Sequence, residues 1–156
     1  MHVLIATDGT AESDTALETA AEMYGTVADY TVVSVGQPIP AHAVSTFGIR
    51  PAYLNLTAGA GHGDAALATA RAIGREAADA LPEDSDVALV ADVGGAGATI
   101  CRVAEEVDAD VIVVGFHDRG WLTKLLEPST TAYVIDNAPC HVLVARSVAK
   151  ESRRAA

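Results

Sequence analysis

Five short apolar runs, spread along the whole chain, set what this sequence can become. They are HVLIAT (His2–Thr7), YTVVSV (Tyr30–Val35), DVALVADV (Asp86–Val93), DVIVVG (Asp110–Gly115) and HVLVAR (His141–Arg146). Several are almost continuous Val, Ile, Leu and Ala. That is the pattern of strands covered on both faces, as in a parallel sheet. Between them the spacing changes to a helical one. Leu17, Ala20, Ala21 and Tyr24 fall at i, i+3, i+4 and i+7, and Ile100, Val103, Ala104 and Val107 repeat the pattern. Leu67, Ala70, Ile73 and Ala77 give an alanine-rich stripe. A shorter helix is expected from near Ser129 to the break at Asn137–Pro139. Strands alternating with helices imply right-handed crossovers and an α/β fold, a Rossmann-like open parallel sheet with helices on both faces. In such folds ligands bind beyond the carboxyl ends of the strands, where strand order reverses.

The chain has 156 residues, a length that suits one domain with a sizeable core. Residues 1–146 are expected to form that domain and 147–156 a polar tail. No apolar run approaches the roughly 20 residues of a membrane span, and MHVLIATDG carries no basic leader, so the expectation is a cytoplasmic protein off the membrane. The net charge of −11, from 21 acidic and 10 basic side chains, argues against nucleic-acid partners. Only Lys124 and Lys150 are lysines. Abundant Asp and Ala with few lysines fit a high-salt cytoplasm, where screening offsets self-repulsion, and equally an ordinary acidic surface. Cys101 and Cys140 stand in no metal or redox spacing and read as buried or half-buried thiols. Residues 37–62 carry prolines, glycines and little period, and are expected to be a lid or a disordered insertion.

The strand exits are where chemistry is expected. Asp8 follows the first strand, with Thr10 as a helix N-cap and Glu12 in the first turn. It reads either as a turn residue satisfying backbone donors or as a carboxylate facing the crevice, bonded to a ribose hydroxyl or ligand amine. In DVGGAGATI (92–100) only G-x-G of a dinucleotide fingerprint is present, so a glycine with positive φ in a tight turn explains it better. The exit of the fourth strand is richest: Gly115, then His117, Asp118, Arg119 and Gly120, and further on Pro128, Ser129 and Thr130. Backbone N–H groups at a helix start attract anions, a Ser129 hydroxyl can cap or donate, and Arg119 can pair with a phosphate. His117 reads more simply as a polar loop residue than as a catalyst. No Ser/His/Asp constellation, metal-spaced His/Cys cluster or G-x4-G-K-[ST] loop is present, so no catalytic residue and no metal site is assigned.

Three stretches in order, VLIATDGTAESDTAL, GATICRVAEEVDADVIVVG and GFHDRGWLTKLLEPSTTAYVIDNAPCHVLVAR, resemble the universal stress protein family (the UspA domain) over nearly the whole chain. The resemblance implies a five-stranded sheet of order 3-2-1-4-5 and a homodimer paired through the last strand, His141–Arg146. It implies ATP or AMP, with Mg2+, as ligand. Asp8 and Val35 would lie near ribose and adenine, Ser129 and Thr130 near the phosphates. Nucleotide-binding members carry G-x2-G-x9-G-[ST] at this exit. Here Gly115 and Ser129 match, but Asp118 and Pro128 replace the other two glycines.

Both departures weaken a phosphate cradle. A carboxylate about 4 Å from a phosphate repels it by roughly 1 to 4 kcal/mol. Proline lacks the N–H, and a lost hydrogen bond to a charged group costs about 1.5–3 kcal/mol. Proline at a first helical position is otherwise tolerated, so the shape survives. The expectation is a dimeric, non-enzymatic stress-response protein with weakened or lost ATP binding, acting through an unidentified regulatory protein partner. The competing reading is an ATP/AMP binder, or slow ATPase, using Asp8, Val35, Gly115 and Ser129, with loop 37–62 as lid. A phosphoacceptor receiver domain would need an acidic pair after the first strand and a lysine after the fifth, where Thr7 precedes Asp8 and Arg146 ends the strand. Adenylating enzymes of the same broad fold need S-G-G-x-D-S, where this chain has Thr7-Asp8-Gly9-Thr10.

Overall fold

The computed structural model describes residues 1–37, 62–116 and 130–146. The strands are β1 (His2–Thr7), β2 (Asp29–Gly36), β3 (Val87–Val93), β4 (Val111–Gly115) and β5 (His141–Ala145). The helices are α1 (Ala11–Tyr24), α2 (His62–Asp79), α3 (Ala96–Glu106) and α4 (Thr130–Asn137), with a 3-10 turn at Gly25–Val27. The five strands form one parallel sheet of order β3-β2-β1-β4-β5. Each expected strand is present, with ends shifted by no more than a residue.

The near-continuous apolar runs have the cause inferred from them. Alternate residues of β1 go to opposite faces. Val3 and Ile5 pack with Ala16, Leu17 and Ala20 of α1 and Ala77 of α2. Leu4 packs with Ile100, Val103 and Ala104 of α3 and Val134 of α4. Val3, Leu4 and Ile5 are fully buried, so the central strand has no solvent face to mark with polar residues. The helical stripes face the same two layers: Ala21 and Tyr24 flank the first, Val107 the second.

Tight approaches fix how the helices sit. A Cβ at Gly97 would lie 2.6 Å from the Tyr133 ring, so α3 and α4 meet through a bare backbone. The positive φ expected in the glycine-rich turn falls on Gly94, at 145°. Gly97 is thus a packing glycine rather than a turn glycine. No helix among the described residues is long and apolar enough to cross a membrane.

Candidate functional site

Reversal of strand order at β1 and β4 opens a crevice beyond their carboxyl ends. A cleft of about 760 Å³ occupies it. This is within the range of small-molecule sites, about 300–1,000 Å³. Its floor is the strand ends, including Thr7, Val35 and Gly115, and α2 supplies a wall of Ala65, Ala66, Thr69, Ala70 and Ile73. Thr130 and Thr131, at the start of α4, close another side.

The α1 entrance is built by hydroxyl groups. The Thr10 Oγ1 accepts from the Ser13 N–H at 3.4 Å, and Ser13 Oγ accepts from the Thr10 N–H at 3.1 Å, a reciprocal capping box. Asp8 Oδ1 accepts from the Thr10 N–H at 3.1 Å and from the Thr10 hydroxyl at 2.6 Å. Asp8 therefore holds its own turn and also lines the cleft, so the two readings of it are compatible. Buried Thr7 donates to Ser13 Oγ at 3.2 Å, tying the strand end to the helix start.

Two glycines allow the walls to close. A Cβ on Gly36 would collide with the Ala66 carbonyl of α2, and one on Gly115 with the Glu12 carbonyl of α1. Gly115 is thus required by helix packing, whatever its relation to a ligand. Thr131 Oγ1 donates to the Gly115 carbonyl at 3.1 Å, and this bond anchors the first turn of α4 to the end of β4.

Of the sequence-derived site residues, Asp8, Val35, Gly115 and Thr130 come together around this one cleft. His117, Arg119 and Ser129 lie outside the described residues, as do Asp118 and Pro128, residues 38–61 of the expected lid or insertion at 37–62, and the expected tail at 147–156. Ser13, Ser34, Thr131, Gly36 and the α2 wall were not singled out by sequence reasoning. Ser13 had a local signal, because it stands three residues after the expected cap Thr10. Among the described lining residues Asp8 is the one ionisable side chain, and the rest are apolar or hydroxylic apart from Gln37. Cys101 and Cys140 are half-buried away from the cleft, and burial pushes both thiols up. Among the described residues no group of His, Cys, Asp and Glu could hold a metal ion.

The fold and the cleft define a class: a doubly wound α/β protein with a preformed, mainly apolar site at its topological switch point. The universal stress protein family model matches residues 1–146, and the chain belongs to that family. A curated universal stress protein of Synechocystis sp. is 51% identical over 51 residues, an alignment spanning about a third of either chain, 33% of this one and 32% of the relative. Among solved structures, a universal stress protein in complex with cAMP has 22% identity and a TM-score of 0.59, covering 95% of this chain and 98% of its own. A family protein from Arabidopsis thaliana with AMP bound has 16% identity and a TM-score of 0.56, covering 97% of this chain and 94% of its own. At these identities the structural likeness concerns the fold.

Proposed function

We propose that this chain is a dimeric, non-enzymatic universal stress protein that takes adenine nucleotides by their nucleoside end and holds their phosphates weakly. The observation that carries this reading is the cleft itself, apolar in its walls and with Asp8 as its one described ionisable side chain. Such a lining suits a flat, uncharged base and a sugar better than a row of phosphates. Val35 and the alanines of α2 would enclose the base, and Asp8 would accept from ribose hydroxyls. Thr130, Ser129 and the N-terminal end of α4 would meet the phosphates. The universal stress protein in complex with cAMP and the Arabidopsis family protein with AMP bound share this fold, which supports an adenine ligand.

The sequence supplies the weakness at the phosphate end. Asp118 brings a negative charge and Pro128 removes a donor. Together the two departures lower triphosphate affinity by two orders of magnitude or more. His117 and Arg119 supply polar and cationic groups in the same segment, and Mg2+ would offset part of the repulsion. The unit is residues 1–146, with 147–156 as a tail. Copies pair through the edge strand at His141–Arg146, and output passes to a regulatory protein in the cytoplasm.

Titration of the purified chain with adenosine, AMP and ATP–Mg2+ by calorimetry tests the reading. Adenosine and AMP are expected to bind at least as tightly as ATP. Micromolar ATP binding, tenfold or more tighter than AMP, would establish the competing reading of an ATP binder. That reading has the formed cleft in its favour and would then be followed by an assay of phosphate release. An Asp118→Gly, Pro128→Gly double variant is expected to gain ATP affinity selectively.

A further inference from the structure

A second groove runs along the outer face, between α1 and α2. It measures about 510 Å³. Its floor is apolar: Leu17 and Ala21 from α1, Ile73 and Ala77 from α2, and Ala80 in the turn that follows α2. Its rim is negative. Asp14, Glu18 and Glu22 follow one another at helical-turn spacing along α1, and Glu76 faces them from α2. No lysine or arginine is among the described lining residues. Asp14, Glu18, Glu22 and Glu76 are all exposed, so they are not held in place by burial.

We infer that this groove docks a basic amphipathic helical segment of a partner protein, apolar residues against the floor and lysines or arginines against the rim. The charge pattern selects this occupant. An apolar or acidic segment would leave the carboxylates unpaired or repelled, whereas cations one turn apart match the α1 series along its length. The apolar floor gives a helix face something to bury, which a merely acidic surface does not. The surroundings also connect it to the cleft. Thr7 and Ile73 line both hollows, and a Cβ placed on Gly9, whose φ is 75°, would lie 3.4 Å from the Ile73 side chain. Docking on this face does not depend on the nucleotide reading.

Fluorescence anisotropy of the full chain with a labelled helical peptide, leucines on one face and lysines one turn apart on the other, tests this. The wild-type chain is expected to bind it at least tenfold more tightly than a scrambled peptide of the same composition. A Glu18→Lys, Glu76→Lys variant is expected to lose at least tenfold, with circular dichroism unchanged. An equal double reversal on the opposite face, Glu105→Lys with Asp136→Lys, is expected to change affinity by less than threefold. Equal binding of the scrambled peptide, or equal losses in the two variants, would reduce the effect to net charge and overturn the inference. Tighter peptide binding after truncation at Arg146 would assign the groove to the chain's own basic tail and overturn it as well. Nucleotide titration reads a different site, so failure of either proposal leaves the other measurable.

Discussion

Single atoms decide how close the elements of this protein come. Gly97 and Gly95 are two residues apart in one sequence motif, yet they have opposite surroundings. A Cβ at Gly95 meets nothing within 4 Å, while one at Gly97 meets the Tyr133 side chain. Gly97→Ala is expected to destabilise by about 1–3 kcal/mol, the usual range for overpacking. Gly95→Ala should cost less than about 1 kcal/mol, since only an N-cap preference is lost. Urea unfolding of both variants checks this, and equal losses would mean that α3 shifts freely on α4. The sequence showed a glycine-rich turn here and could not separate the residue that bends the chain from the one that lets helices touch. The difference depends on Tyr133, which lies 36 residues further along. The packing roles of Gly36 and Gly115 were hidden for the same reason, because a tertiary neighbour explains each.

Whole elements were more legible, because their signals are local. Strands buried on both faces read as unbroken apolar runs, and the stripes of α1, α2 and α3 repeat at the helical period. The start of α1 was marked by Thr10, and its cap geometry follows the usual rule. Thr10→Ala should destabilise by about 1 kcal/mol, measured as a shift in the urea midpoint with no change in slope. Because Thr10 also bonds Asp8, the same variant should weaken adenosine binding if Asp8 serves the ribose. Unchanged binding would separate the cap from the site. What the local signals could not give is the α2 wall. Its small residues read as an ordinary helix stripe, and only the crossing over β2 at Gly36 and Ala66 turns them toward a cleft.

At the scale of the molecule, the sheet places its best-covered strand in the middle. β1 lies between β2 and β4 with Val3, Leu4 and Ile5 fully buried, while β3 at one edge keeps partial exposure along its length. Amide hydrogen exchange should therefore protect Leu4 and Ile5 most strongly, with β3 amides opening at lower free energy. Equal protection across the sheet would mean that the edges do not open independently.

The order of the strands also sets a timetable for synthesis. β1 finds β2 almost at once, but its other neighbour begins at Val111, 75 residues after Gly36. At about 5–20 residues per second, the ribosome takes roughly 4–15 seconds to supply it. For that interval the nascent chain presents an unpaired apolar strand edge, open to pairing with other chains. This member of the universal stress protein family thus passes, each time it is made, through a state in which half of its central strand pairing is still missing.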